Sequence, residues 1–214
     1  MDFEAAAWRA FQYLLPHVKV RGCVFHLTHA IWRHCQEIGL QRAYRENDFV
    51  FKFIRRLMAL PFMPASHIRP IFRQLKQKAP DGKLSDLCVY MERQWMANSI
   101  FKVASWSVFN QTTRKNNHVE GWHHRINIKA GEQQLGIYKM IPCLYQEISM
   151  LPVQCKLMQE KKIGRHLRTS ACRSQQELFR NWTQYKDGDR SPAELLNACA
   201  TLNGPTHSEG SSQH

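Results

Sequence analysis

The sequence predicts a mostly helical protein, and three observations carry that reading. From about residue 47 to 160 the apolar residues recur at three- and four-residue spacing, the period of a helix with one buried face. One stretch, "HVKVRGCVF" (17–25), reads as a short strand, and no second convincing strand exists to pair with it, although even an isolated hairpin is marginal in water. With 43% hydrophobic and 11% aromatic residues, the 214-residue chain can bury a sizeable core, as one domain with a tail or as two small lobes.

Taken in order, 3–15 reads as a helix with Ala7, Trp8, Phe11, Leu14 and Leu15 at helical spacing, ended by Pro16. The strand-like segment follows, with Val18 and Val20 on one face. A second helix is expected over about 27–38, where Leu27, Ile31, Cys35 and Ile38 share a side. Asn47 is a predicted N-cap for a strong helix in which Phe49/Val50, Phe53/Ile54 and Leu57/Met58 stay in register up to Pro61. Pro64 opens the next, with Ile68, Ile71, Phe72 and Leu75 inward. "PDGK" is a turn, and Leu84, Leu87, Cys88, Met91 and Trp95 mark a further helix. "FKVASWSVF" reads either way. "NNHVEGWHHRIN" (116–127) predicts a helix ending near Gly131, and a longer one runs over about 137–163, bent at Pro142 or Pro152. Beyond it the apolar density drops. "FRNWTQY" and "PAELLNACA" predict short helices at most, and "NGPTHSEGSSQH" reads as a disordered tail.

Charge narrows the partner. Lys+Arg outnumber Asp+Glu by 30 to 17, a net charge of +13, which points to a polyanion, most simply nucleic acid bound weakly and without sequence preference. No basic amphipathic anchor and no apolar run long enough to span a bilayer is present, so a membrane ranks below DNA or RNA. The seven cysteines are scattered with no CxxC pair, and no secretory segment follows Met1; a reducing intracellular compartment is expected.

Two short stretches concentrate chemistry. In "NNHVEGWHHRIN", Val119, Trp122 and Ile126 form an apolar arc, while Glu120 shares a polar stripe with Asn116, His124 and Asn127. The simplest reading is an amphipathic helix with a solvated acid. "CVFHLTH" spaces Cys23, His26 and His29 as Cys-x2-His-x2-His. Three ligands from seven residues make a poor tetrahedral zinc site, so the favoured reading is a buried Cys23 and a hydrogen-bonded His26. Asp2, taken alone, reads as a helix N-cap. Trp8, Trp32, Trp95, Trp106 and Trp122 read as core residues. The basic run Lys161, Lys162, Arg165, Arg168 and Arg173 reads as a solvated segment or as a phosphate contact.

Together these pieces form a pattern. "MDFEAAAWRAFQYLLPHVKVRGCVFHLTHAIWRHCQEIGL", then "FIRRLMALPFMP", an aromatic helical stretch and "TTRKNNHVEGWHHRIN" resemble the catalytic region of Mutator-like element transposases over about three quarters of the chain, from Asp2 to near residue 160. The resemblance implies a partial ribonuclease H-like core of the DDE type, an α/β remnant with a large all-helical insertion at about 45–110, in a domain spanning 1–165. Residues 166–214 would then be a basic, low-complexity and disordered tail. It also implies carboxylates that hold Mg²⁺ for phosphodiester cleavage and strand transfer. Carried over residue by residue, Asp2 matches the family's second catalytic Asp and Glu120 its third carboxylate, the two expected metal ligands. Cys23 and His26 match a Cys-x2-His near the active site. Arg114, Lys115, His124, Arg125, Lys161, Lys162 and Arg165 are the expected DNA contacts. The resemblance implies a nuclear location.

The family's first Asp lies on an early strand that would precede Asp2. The expectation is therefore a truncated core, inactive alone, whose partner is an oligomer or the absent N-terminal half. The alternative is a domesticated, non-enzymatic module that binds DNA or protein. A zinc-dependent regulator built on "CVFHLTH" ranks last.

Overall fold

The computed structural model describes residues 2–112, 117–131, 136–160 and 169–202. Within them the chain forms eleven α-helices and no strand. They fall into two bodies, one comprising 1–115 with 174–214 and the other 116–173.

The first body is built around α4 (Asp48–Ala59). Asn47 starts it as the sequence predicts, its side-chain oxygen accepting from the backbone N–H of Phe49 and Val50, two donors the first turn leaves unpartnered. The helix is buried at Phe53, Ile54, Leu57 and Met58. Around it pack α2 (Val24–Glu37), α3 (Gln41–Glu46), α5 (Ala65–Gln77) and α11 (Pro192–Leu202). A 3₁₀ turn, Leu60–Phe62, follows α4 with Pro61 inside it, and carbonyls of this turn and of Met63 accept from residues far along the chain. Val108 N–H donates to Pro61 O at 2.7 Å and Trp182 Nε1 donates to Phe62 O at 2.9 Å. The buried Ser107 hydroxyl donates to Met63 O at 2.8 Å. Each of these bonds satisfies a polar group that would otherwise be stranded in the core. α6 (Lys83–Met91) continues through a π-helical turn, Glu92–Met96, that carries Trp95 inward.

Three sequence expectations change. The segment 17–25 is no strand: it is coil as far as Cys23, and α2 begins at Val24, earlier than expected. Val24, Leu27, Ile31 and Cys35 are buried at helical spacing, and burial of that face outweighs a local alternation that has no ladder to join. The strand of an α/β remnant is thus absent among the described residues. "FKVASWSVF" is neither long helix nor strand. It contains only the single turn α7 (Val103–Trp106), and Phe101, Val103, Trp106 and Val108 are nonetheless buried.

The third change concerns the expected tail over 166–214. α10 (Thr169–Lys186) and α11 are regular helices, and Leu178, Trp182, Leu195, Leu196 and Cys199 join the main core. In α10 the apolar residues are few but Leu178 and Trp182 are large and share a face, and α11 adds Leu195, Leu196, Cys199 and Ala200 at helical spacing, which suffices for docking. The last residues, 203–214, lie outside the described part.

The second body contains α8 (Asn117–Ala130) and α9 (Ile137–Gln159). α8 ends at Gly131, whose φ of +70° is the left-handed conformation that glycine adopts without strain. Ile126 is buried and Trp122 half-buried, as the apolar arc predicts.

Candidate functional site

The described site residues gather where the chain enters α1 (Ala5–Leu14) and α2. Phe3 is the anchor. Its ring stacks on Trp8 with centroids 5.9 Å apart and meets Trp95 and Phe101 edge-on at 4.8 and 5.3 Å, contacts of the kind that add to plain area burial. The buried Trp8 Nε1 donates to the backbone carbonyl of Asp2 at 2.6 Å. Asp2 is therefore held in place while its side chain stays 60% exposed. It is not the cap of α1: Glu4 occupies that position.

Opposite Asp2 stands His26. Its Nδ1 lies 3.0 Å from Asp2 Oδ1, with the imidazole partly exposed. Near this contact Gly22 makes room for the Phe3 ring, since a Cβ there would lie 2.3 Å from Phe3 Cζ. Gly22 N–H donates to Ser105 O at 2.9 Å. The Arg21 guanidinium donates to Ala104 O and Ser107 O at 3.2 and 3.1 Å. These bonds clamp the incoming coil to α7 and set the start of α2, and with it the height of His26. The importance of Arg21 and Gly22 escapes sequence reasoning, because the carbonyls that receive their hydrogen bonds lie more than eighty residues away and the Phe3 ring reaches Gly22 only through tertiary packing.

The three residues of "CVFHLTH" point to different places. Cys23 is the N-cap of α2 and 2% exposed. His26 faces Asp2, and His29 is exposed with Phe25 stacked beside it at 5.9 Å. Among the described residues no three His, Cys, Asp or Glu side chains stand close enough together to hold a metal ion. Asp2 supplies a hard oxygen donor of the kind Mg²⁺ prefers, but Cys23 and the imidazoles are soft, and the described residues do not make a magnesium site by themselves.

Of the expected residues on α8, the Glu120 backbone is helical, and its side chain lies outside the described part. His124 is exposed. Arg125 is engaged: its guanidinium donates to Glu147 of α9, which also accepts from Lys129 Nζ at 2.6 Å. Hydrogen bonds from Lys129 and then Arg125 hold the Glu147 carboxyl below the usual glutamate range. Glu147 is the one acid in α9, a signal available in the sequence that pattern reading passed over. Arg114, Lys115, Lys161, Lys162 and Arg165 lie outside the described residues. No described helix is long and apolar enough to cross a membrane.

Compared with known proteins, the chain matches no family model, no curated protein and no solved structure.

Proposed function

We propose that this protein is transposase-derived: part of a DDE-type, ribonuclease H-like catalytic core in which Asp2 and Glu120 occupy the positions of metal-binding carboxylates and the +13 charge attracts DNA. One observation supports the reading above the others. Asp2 and His26, each assigned from a separate motif, stand 3.0 Å apart, and an anchor residue (Phe3), a glycine (Gly22) and a clamp (Arg21) are arranged around the contact. An exposed carboxylate positioned this firmly has an arrangement suited to a ligand, more than to a helix cap.

The expected activity is partial. Lys and Arg that neutralise phosphates release counterions, so DNA affinity falls steeply as salt rises, without sequence preference. Cleavage is not expected from the 214-residue chain, since in-line attack with two cations needs a carboxylate to bridge them as well as one at each flank. The test is electrophoretic binding at a series of salt concentrations, with plasmid nicking in Mg²⁺ or Mn²⁺ for the wild type, Asp2→Asn and Glu120→Gln. Salt-insensitive binding, or none, sinks the DNA reading. Metal-dependent nicking lost in both variants would show that two acids suffice and overturn the inactive half.

A further inference from the structure

α9 carries an apolar stripe that α8 does not cover. Ile137, Tyr138, Ile141, Tyr145, Ile148 and Leu151 recur at three- and four-residue spacing and fall on one arc of the helix. All six are exposed, Tyr138 at 89% and Tyr145 at 74%. Glu147, which receives Arg125 and Lys129 of α8, lies about 140° round the helix from the centre of the Tyr138, Ile141, Tyr145 and Ile148 seam, with Leu151 at the margin between the two, so the α8 contact uses another face. The succession 138, 141, 145, 148 has the three-four-three spacing of a helix–helix seam.

We propose that this stripe is a dimerisation face, covered by the same stripe of a second copy of the chain about a two-fold axis. Area supports it: the six side chains together expose on the order of 800 Å², what each partner contributes to a standard interface and more than a monomer ordinarily shows to water in one patch. Length supports it as well. From Ile137 to Leu151 the stripe runs about 21 Å, whereas the exposed apolar residues at the end of α1 and its C-cap (Phe11, Tyr13, Leu14 and Leu15) span about one turn, 5.4 Å. An identical α9 matches the stripe in length, spacing and apolar character, and a self-complementary patch closes after two copies.

The experiment is sedimentation velocity with light scattering on the full chain, under reducing conditions so that the exposed Cys155 forms no disulfide. Wild type should pass with rising concentration from one chain mass, 25.1 kDa, to twice that. Tyr145→Lys with Ile148→Lys should raise the dimer dissociation constant at least about a hundredfold at unchanged far-ultraviolet helicity. Tyr138→Lys with Ile141→Lys, one turn or more earlier, should do the same. Leu14→Lys on α1 should leave the dimer intact. A wild type that stays at one chain mass through high micromolar concentration overturns the proposal, as does a dimer that survives both α9 pairs or is dissociated by Leu14→Lys.

Discussion

Replacing Arg55 with leucine should release α11 from α4. Arg55 is 7% exposed inside α4, and its guanidinium caps the last turn of α11. Nε donates to Ala200 O at 2.7 Å, and a terminal nitrogen donates to Thr201 O at 2.9 Å. Its charge also lies 5.6 Å from the centre of the Phe51 ring. The final carbonyls of a helix have no donors of their own, and a cation there meets the negative end of the helix dipole. A hydrogen bond from a charged donor contributes about 1.5–3 kcal/mol. The Ala200 bond is buried and belongs at the upper end of that range; the Thr201 carbonyl is partly wet and belongs at the lower. Leucine keeps some of the packing of the arginine stem, so the net loss should be about 3–4 kcal/mol. Arg55→Lys keeps the charge without the planar fork and should lose about half as much. Because two bodies need not unfold together, the decisive assay is local hydrogen exchange: α11 amides should exchange roughly 150- to 700-fold faster, with a melt followed by tryptophan emission falling by about 10 °C. Arg56→Ala, which removes only an exposed bond to Asn197, is the control and should change stability by less than about 0.5 kcal/mol. Unchanged α11 protection in Arg55→Leu would refute the capping argument.

Gly22→Ala should displace Phe3, whose ring is backed by Trp8, Trp95 and Phe101 and cannot retreat freely; the expected loss is about 1–3 kcal/mol, read by denaturant titration and near-ultraviolet dichroism, with Phe3→Leu in the same chain restoring part of it. Burial pushes the Cys35 thiol up to about 12 and Cys88 up to about 11, from an ordinary 9.0. The unfolded thiols therefore ionise first, the unfolded state binds fewer protons, and stability that is complete below pH 9 should fall by about 1.4 kcal/mol per pH unit for each thiol, through 11 for Cys88 and 12 for Cys35. Cys35→Val should flatten that alkaline slope in urea midpoints measured between pH 8 and 11, and an identical slope in the variant would refute the assignment.

What was legible in the sequence is what nearest neighbours decide. The helical spacing of Phe53, Ile54, Leu57 and Met58, the cap at Asn47, the break at Pro61 and the glycine end of α8 all act within a turn of the residue concerned, so a single chain displays them. The arc of Trp122 and Ile126 belongs to the same class. The alternation at Val18 and Val20 is equally local, yet a strand is completed only by a ladder from elsewhere; with none among the described residues, the segment stays coil and its end is taken into α2. α10 and α11 look weaker in the sequence than they are, for the converse reason. Their stability comes from Trp182 reaching the 3₁₀ turn and Arg55 reaching Ala200, contacts across more than a hundred residues, and composition carries no trace of them. Asp2 and His26 were singled out by resemblance; only tertiary packing, through Phe3 against Gly22 and Arg21 against α7, brought them to 3.0 Å. A distance of that kind depends on the excluded volume of side chains far apart in the sequence, which exists only once the chain has closed on itself.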